Sequence, residues 1–89
     1  MANHASALKR ARQNAKRRAR NRAYRTRVRR VIKAVRQAVQ AGDPQAARDA
    51  LQRAVPLIDK AVSKGVLHWR NAARKVSRLS RQVHGLSAS

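Results

Sequence analysis

Every seventh residue from Arg10 gives Arg10, Arg17, Tyr24, Val31 and Ala38, and the adjoining seam gives Asn14, Asn21, Val28 and Val35. Residues seven apart lie nearly on one side of an α-helix. A face that is polar before Tyr24 and apolar after it cannot pack on protein along its whole length. A helix through this region must therefore leave its bundle near Tyr24.

Two punctuation marks set the lengths. Ala41-Gly42-Asp43-Pro44 reads as a helix stop followed at once by a start: Gly takes a left-handed position, Asp caps free amides and Pro opens the next helix. Lys64-Gly65 is a second stop, with a cation in the last turn and Gly just beyond it. Between the marks, Ala47, Leu51, Ala54, Ile58, Ala61 and Val62 recur at helical steps, as do Ala72, Val76, Leu79, Val83 and Leu86 after the second. Pro56 falls inside the second helix, where it removes a backbone hydrogen bond and is expected to bend the rod. No segment alternates like a strand. The expected fold is all-α: a three-helix bundle with a long, protruding basic N-terminal helix. At about 1.5 Å per residue, a first helix from near Ser6 to Ala41 would reach roughly 54 Å and the later two about 30 Å each, so the first overhangs.

The overhang lies in KRARQNAKRRARNRAYRTRVRR, residues 9 to 30, in which twelve of twenty-two residues are Lys or Arg and none is acidic. Lys9, Arg10, Arg12, Lys16, Arg17, Arg18, Arg20 and Arg22 point in all directions. Arg12/Lys16, Lys16/Arg20, Arg18/Arg22 and Arg25/Arg29 stack like charges at i and i+4, each costing about 0.2 to 0.5 kcal/mol. The arm is expected to fray when free and to become helical when phosphates neutralise it. The whole chain of 89 residues has 23 basic against 3 acidic residues, a net charge of +20. Such a charge calls for a polyanionic partner. Seventeen of the 23 cations are Arg, whose planar guanidinium forks onto phosphate or lies flat on a base, which suits folded RNA.

Other chemistry is poorly represented. His4, His68 and His84 have no carboxylate or thiol at ligand spacing, so no metal site is expected. Six serines and three acids form no nucleophile elbow and no carboxylate dyad, no Gly-rich loop cradles phosphate, and neither catalysis nor a cofactor or small-molecule substrate is expected. Cysteine is absent, which fits an intracellular setting, and MANHASALKR lacks the apolar run of a signal peptide. No stretch approaches the roughly 18 apolar residues of a membrane span. A membrane-active helix would need bulky apolar residues opposite its cations, and residues 9 to 23 offer only Ala. The seam after Tyr24 is too short for a basic zipper. A nucleoid-type DNA binder and an adaptor for an acidic protein remain as alternatives to an RNA binder. Of the two aromatics, Tyr24 is expected to cap the bundle, and Trp69 either closes the bundle end or stacks on a base.

The ordered set of short motifs resembles a known family over nearly the whole chain. Met1-Ala2-Asn3, Ser6-Ala7, Lys9-Arg10, Arg12-Gln13-Asn14, Lys16-Arg17-Arg18 and Arg20-Asn21-Arg22 look like the opening of the bacterial small-subunit ribosomal protein S-twenty family. Ala41-Gly42-Asp43, Pro56-Leu57-Ile58-Asp59-Lys60, Lys64-Gly65-Val66-Leu67-His68, Asn71-Ala72-Ala73-Arg74 and Ser77-Arg78-Leu79 follow in the family's order.

The resemblance implies a cytoplasmic structural protein of the small ribosomal subunit, monomeric there, that binds 16S ribosomal RNA directly and early in assembly. Its arm would enter RNA of the 5′ domain and lower body, with the bundle near the long penultimate stem and other subunit components close by. Carried over to matching positions, the RNA contacts are Asn3, Ser6, Lys9, Arg10, Arg12, Gln13, Asn14, Lys16, Arg17, Arg18, Arg20, Asn21 and Arg22. Lys64, His68, Asn71, Arg74 and Arg78 form a second patch. Ala5 and Leu8 stand where the family often has Lys, and Trp69 and Val76 where it is often basic or polar. Residues 1–89 are expected to form one domain: an RNA-binding arm over 1–23, a bundle body over 24–86 and a tail over 87–89.

Overall fold

The computed structural model describes the backbone of residues 2–88, with side chains described for 4–86. Three helices follow one another: α1 over Ala2–Gln40, α2 over Pro44–Ser63 and α3 over Trp69–Ala88. Among the described residues there is no strand. The fold is the all-α one that the sequence predicts.

Both predicted stops work through glycine in the left-handed region, with φ 71° at Gly42 and 73° at Gly65. At the first, the Gly42 N–H donates to the Val39 carbonyl at 3.0 Å and the Asp43 N–H to the Ala38 carbonyl at 3.2 Å. These paired bonds satisfy carbonyls that the helix end leaves free. Asp43 then begins α2, its Oδ1 accepting from the Ala46 N–H at 3.1 Å. One residue thus closes α1 through its backbone and opens α2 through its side chain. At the second stop, Gly65 donates to the Val62 carbonyl at 2.9 Å and Val66 to the Ala61 carbonyl at 2.9 Å.

The core draws Val28, Ile32 and Val35 from α1, Ala47, Ala54, Ile58 and Ala61 from α2, and Ala72, Leu79 and Val83 from α3, with Val66 beneath the second turn. Val35 and Ile58 are the largest side chains fully withdrawn from solvent. The three buried alanines of α2 recur every seven residues, which lets a neighbouring helix come close. Tyr24 is half-buried at the end of this core, as a cap would be.

The molecule is elongated. Its radius of gyration is 17.8 Å, against about 12 Å for a compact chain of this length, and its longest axis is 68 Å. The 39 residues of α1 account for about 58 Å of that at 1.5 Å per residue. The overhang is therefore real, and its start differs from expectation: α1 begins at Ala2 rather than near Ser6. Ser6 has the side chain of a cap, but Ala2, Ala5 and Ala7 around it favour continuing the helix. Pro56 lies on an exposed side of α2, which runs through it unbroken.

Candidate nucleic-acid interface

From His4 to Arg20 every described side chain is exposed. At the helical rise this is a rod about 25 Å long, which meets the body only at its root. The first half-buried residues are Asn21 and Tyr24, and the first buried one is Val28. The change of surroundings falls within one helical turn of Tyr24, where the seam changes from Asn to Val. Ser6, Lys9, Arg10, Arg12, Gln13, Asn14, Lys16, Arg17, Arg18, Arg20 and Arg22 are thus all presented to solvent, and Asn21 sits at the edge of the body. The side chain of Asn3 lies outside the described residues.

Among the described residues the arm's cations meet no carboxylate. The Arg18 Nε donates to the Asn14 carbonyl at 3.4 Å, and the Arg20 Nη2 lies 3.4 Å from the Asn21 Oδ1 and 3.3 Å from the Lys64 carbonyl. Asp43, Asp49 and Asp59 all belong to α2 or its cap. Neutral oxygens leave the arm's positive charge uncompensated, so the field around the rod attracts a polyanion from every side.

The bond from Arg20 to the Lys64 carbonyl also joins two regions that are 44 residues apart in sequence. A guanidinium at the C-terminal end of α2 meets the negative end of that helix's dipole. It fastens the root of the arm beside the α2–α3 connection, which carries Lys64 and His68. Part of the second patch is therefore continuous with the arm. Asn71 lies in a groove between α1 and α3, whose lining includes Arg25, Arg29 and Lys75 as well as the apolar Val28, Ile32 and Leu67. Arg74 and Arg78 are exposed further along α3, on the same side as Arg70 and Arg81 and away from buried Leu79 and Val83.

Sequence reasoning missed the three cations of that groove. Arg25, Arg29 and Lys75 surround a space of about 200 Å³. Like the arm's cations, they have no carboxylate partner among the described residues. The repelling pair Arg25/Arg29, placed beside the core residues Val28 and Ile32, was the signal that could have found them. Arg22, Arg27 and Arg30 likewise carry the basic surface of α1 past the point where the arm meets the body.

Comparison with known proteins decides the family. The model of ribosomal protein S20 matches residues 2–84. The chain belongs to the ribosomal protein S20 family. It is 57% identical over 86 residues to the small ribosomal subunit protein bS20 of Oleidesulfovibrio alaskensis, a match covering 97% of this chain and 99% of that relative. The bS20 protein of Nitratidesulfovibrio vulgaris is 58% identical over 84 residues, with 94% and 97% covered. That of Geobacter sulfurreducens is 54% identical over 86 residues, with 97% and 99% covered. The family is one of ribosomal structural proteins and not of enzymes. No helix among the described residues is long and apolar enough to cross a membrane.

Proposed function

We propose that this chain is a structural component of the bacterial small ribosomal subunit that binds 16S ribosomal RNA directly and holds the 5′ domain and lower body together during assembly. The observation that carries the reading is the rod from His4 to Arg20, exposed all round and basic on every side. A solvated protein surface has no use for such an arrangement, whereas RNA strands packed around a helix can place a phosphate near each cation. Alanines between the cations permit close approach. Lys64, His68, Asn71, Arg74 and Arg78 then extend contact from the arm's root along the body toward the penultimate stem.

Arg and Lys here act as counter-ions that remain in place where mobile salt would exchange. Binding displaces condensed cations from RNA, so affinity falls by about 0.7 to 0.9 log units per neutralised phosphate for each decade of salt. The body's role is to fix the direction in which the arm leaves. The arm's role is to bring RNA segments together that would otherwise repel.

Crosslinking followed by footprinting on total cellular RNA tests this. Protection confined to one region of small-subunit RNA is expected. Protection scattered over many RNAs, or equal binding to duplex DNA, points instead to a nucleoid-type binder and overturns the proposal.

A further inference from the structure

Trp69 is the chain's sole tryptophan, and its side chain is 60% exposed at the first residue of α3. It does not close the bundle end, which removes one of the two roles that its sequence position allows. Leaving an indole in water forgoes the burial that usually stabilises it, and the surroundings show how this one is held.

His68 lies against one side of it, with ring centroids 5.8 Å apart and planes inclined by 26°. The Arg70 guanidinium carbon lies 5.3 Å from the indole centroid. The His68 ring is itself fixed, because its Nδ1 accepts from the Arg70 backbone N–H at 3.2 Å. His68 also accepts the first helical bond of α3, from the Ala72 N–H to its carbonyl at 3.1 Å. The three side chains form a π and cationic cluster anchored to a helix start. The Arg70 guanidinium lies over the indole ring, so a base that stacks there takes its place while this long exposed side chain swings out to a phosphate.

We propose that Trp69 is a base-stacking residue, and that an unpaired base of small-subunit ribosomal RNA lies against its indole; this rests on the RNA-binding reading above. The cluster follows directly on the α2–α3 connection that Arg20 fastens to the arm, so RNA held by the arm's root passes close to it. The indole also flanks a groove between α2 and α3 whose lining includes Val55, Val62, Val76 and Asp59. A carboxylate there repels a phosphate and accepts hydrogen bonds from the amino or imino edge of a base. The base therefore faces the groove, and its phosphates face Arg70 and the solvent side. Stacking of this kind recognises the absence of pairing more than the identity of the base.

The lone indole supplies its own reporter. The full chain is titrated with a transcript of the small-subunit 5′ domain, with fluorescence anisotropy of labelled RNA measuring binding and tryptophan emission measuring contact. Emission is expected to be strongly quenched in step with binding, and a fully paired RNA duplex of equal length should bind with little quenching. Trp69→Leu should weaken binding of the transcript about 5- to 150-fold, the range for losing one stacked base, with its salt dependence unchanged. Trp69→Phe should recover most of the loss.

Saturated binding with unquenched emission overturns the inference and leaves the RNA reading standing. So does full affinity in Trp69→Leu. Shielding of the indole only in the assembled subunit assigns the groove to a neighbouring protein instead. Failure of the transcript to bind at all removes both readings together.

Discussion

The N-terminal and C-terminal halves of α1 belong to one unbroken helix, yet they obey different rules. From Val28 onward, Val28, Ile32 and Val35 are buried and Ala38 and Val39 half-buried, and the helix is held by its packing on α2 and α3. From His4 to Arg20 no side chain is buried, and the helix is held by its own backbone and by continuity with the body. The difference teaches that a helix does not need a protein on its face to be specified. It needs good helix formers and a nucleus to grow from, and the body is that nucleus. What the arm gives up in packing it gains in reach, because charge is displayed around the whole circumference.

Replacing Arg10, Arg17 and Arg18 together by Gln breaks the comparison on the arm's side. If three phosphates are lost, affinity for small-subunit RNA should fall by roughly two to three orders of magnitude near 0.1 M salt, and the salt slope by about 2 to 2.7. The thermal unfolding of the body should not move, since none of the three touches it. Filter binding across a salt series, paired with a melting curve, reads both. Equal damage to both quantities would show that arm and body are not separable.

Ile58→Ala breaks it on the body's side. Ile58 is fully buried among the three helices, so its truncation removes burial and leaves a cavity, at a cost of about 2 to 5 kcal/mol. Chemical denaturation should show that loss. At temperatures where the body stays folded, RNA affinity should remain near that of the parent chain. A mutant of normal stability would mean that the core is not closed around this residue.

How much of this was readable in advance follows the same division. The stop at Gly42, the start at Asp43 and Pro44, and the second stop at Gly65 are local chemistry, and local chemistry is written in consecutive residues. The change of face at Tyr24 was readable because one helix repeats its own geometry. The beginning of α1 was misplaced, since Ser6 offers a cap that the flanking alanines override. Arg25 and Arg29 could be suspected from their pairing beside Val28 and Ile32, but their meeting with Lys75 in one groove was not readable, because it depends on which face of α3 meets α1, and no single helix records that. Trp69 was undecided for a related reason: a ring at a helix start can turn inward or outward, and its neighbours in space decide.

Lys75→Gln sharpens the boundary between the two regions. Lys75 is half-buried in the body, on the wall of the groove that also contains Arg25 and Arg29. If RNA contact stopped at Arg22, this change would leave binding unaltered. If a phosphate enters the groove, affinity should fall by about 5- to 10-fold near 0.1 M salt and the salt slope by about 0.7 to 0.9. The same filter-binding series distinguishes the outcomes, and an unaltered slope confines the interface to the arm and the α2–α3 connection.

The smallest effect concerns the free arm. Continuity with the body spares the arm the cost of nucleation, so fraying proceeds from Ala2 inward and is not an all-or-none melting. Four like-charged pairs between Arg12 and Arg29 oppose the helix by about 0.2 to 0.5 kcal/mol each. Raising salt from 0.1 to 1 M shortens the screening length from about 10 to 3 Å and should relieve most of that repulsion. Helical circular dichroism of the RNA-free protein should therefore increase with salt, by an amount no larger than the arm can supply. A phosphate-rich ligand should produce the same increase at low salt, because it neutralises the same charges. A spectrum already fully helical at low salt would show that helix propensity alone outweighs the repulsion, and that the arm meets RNA as a preformed rod.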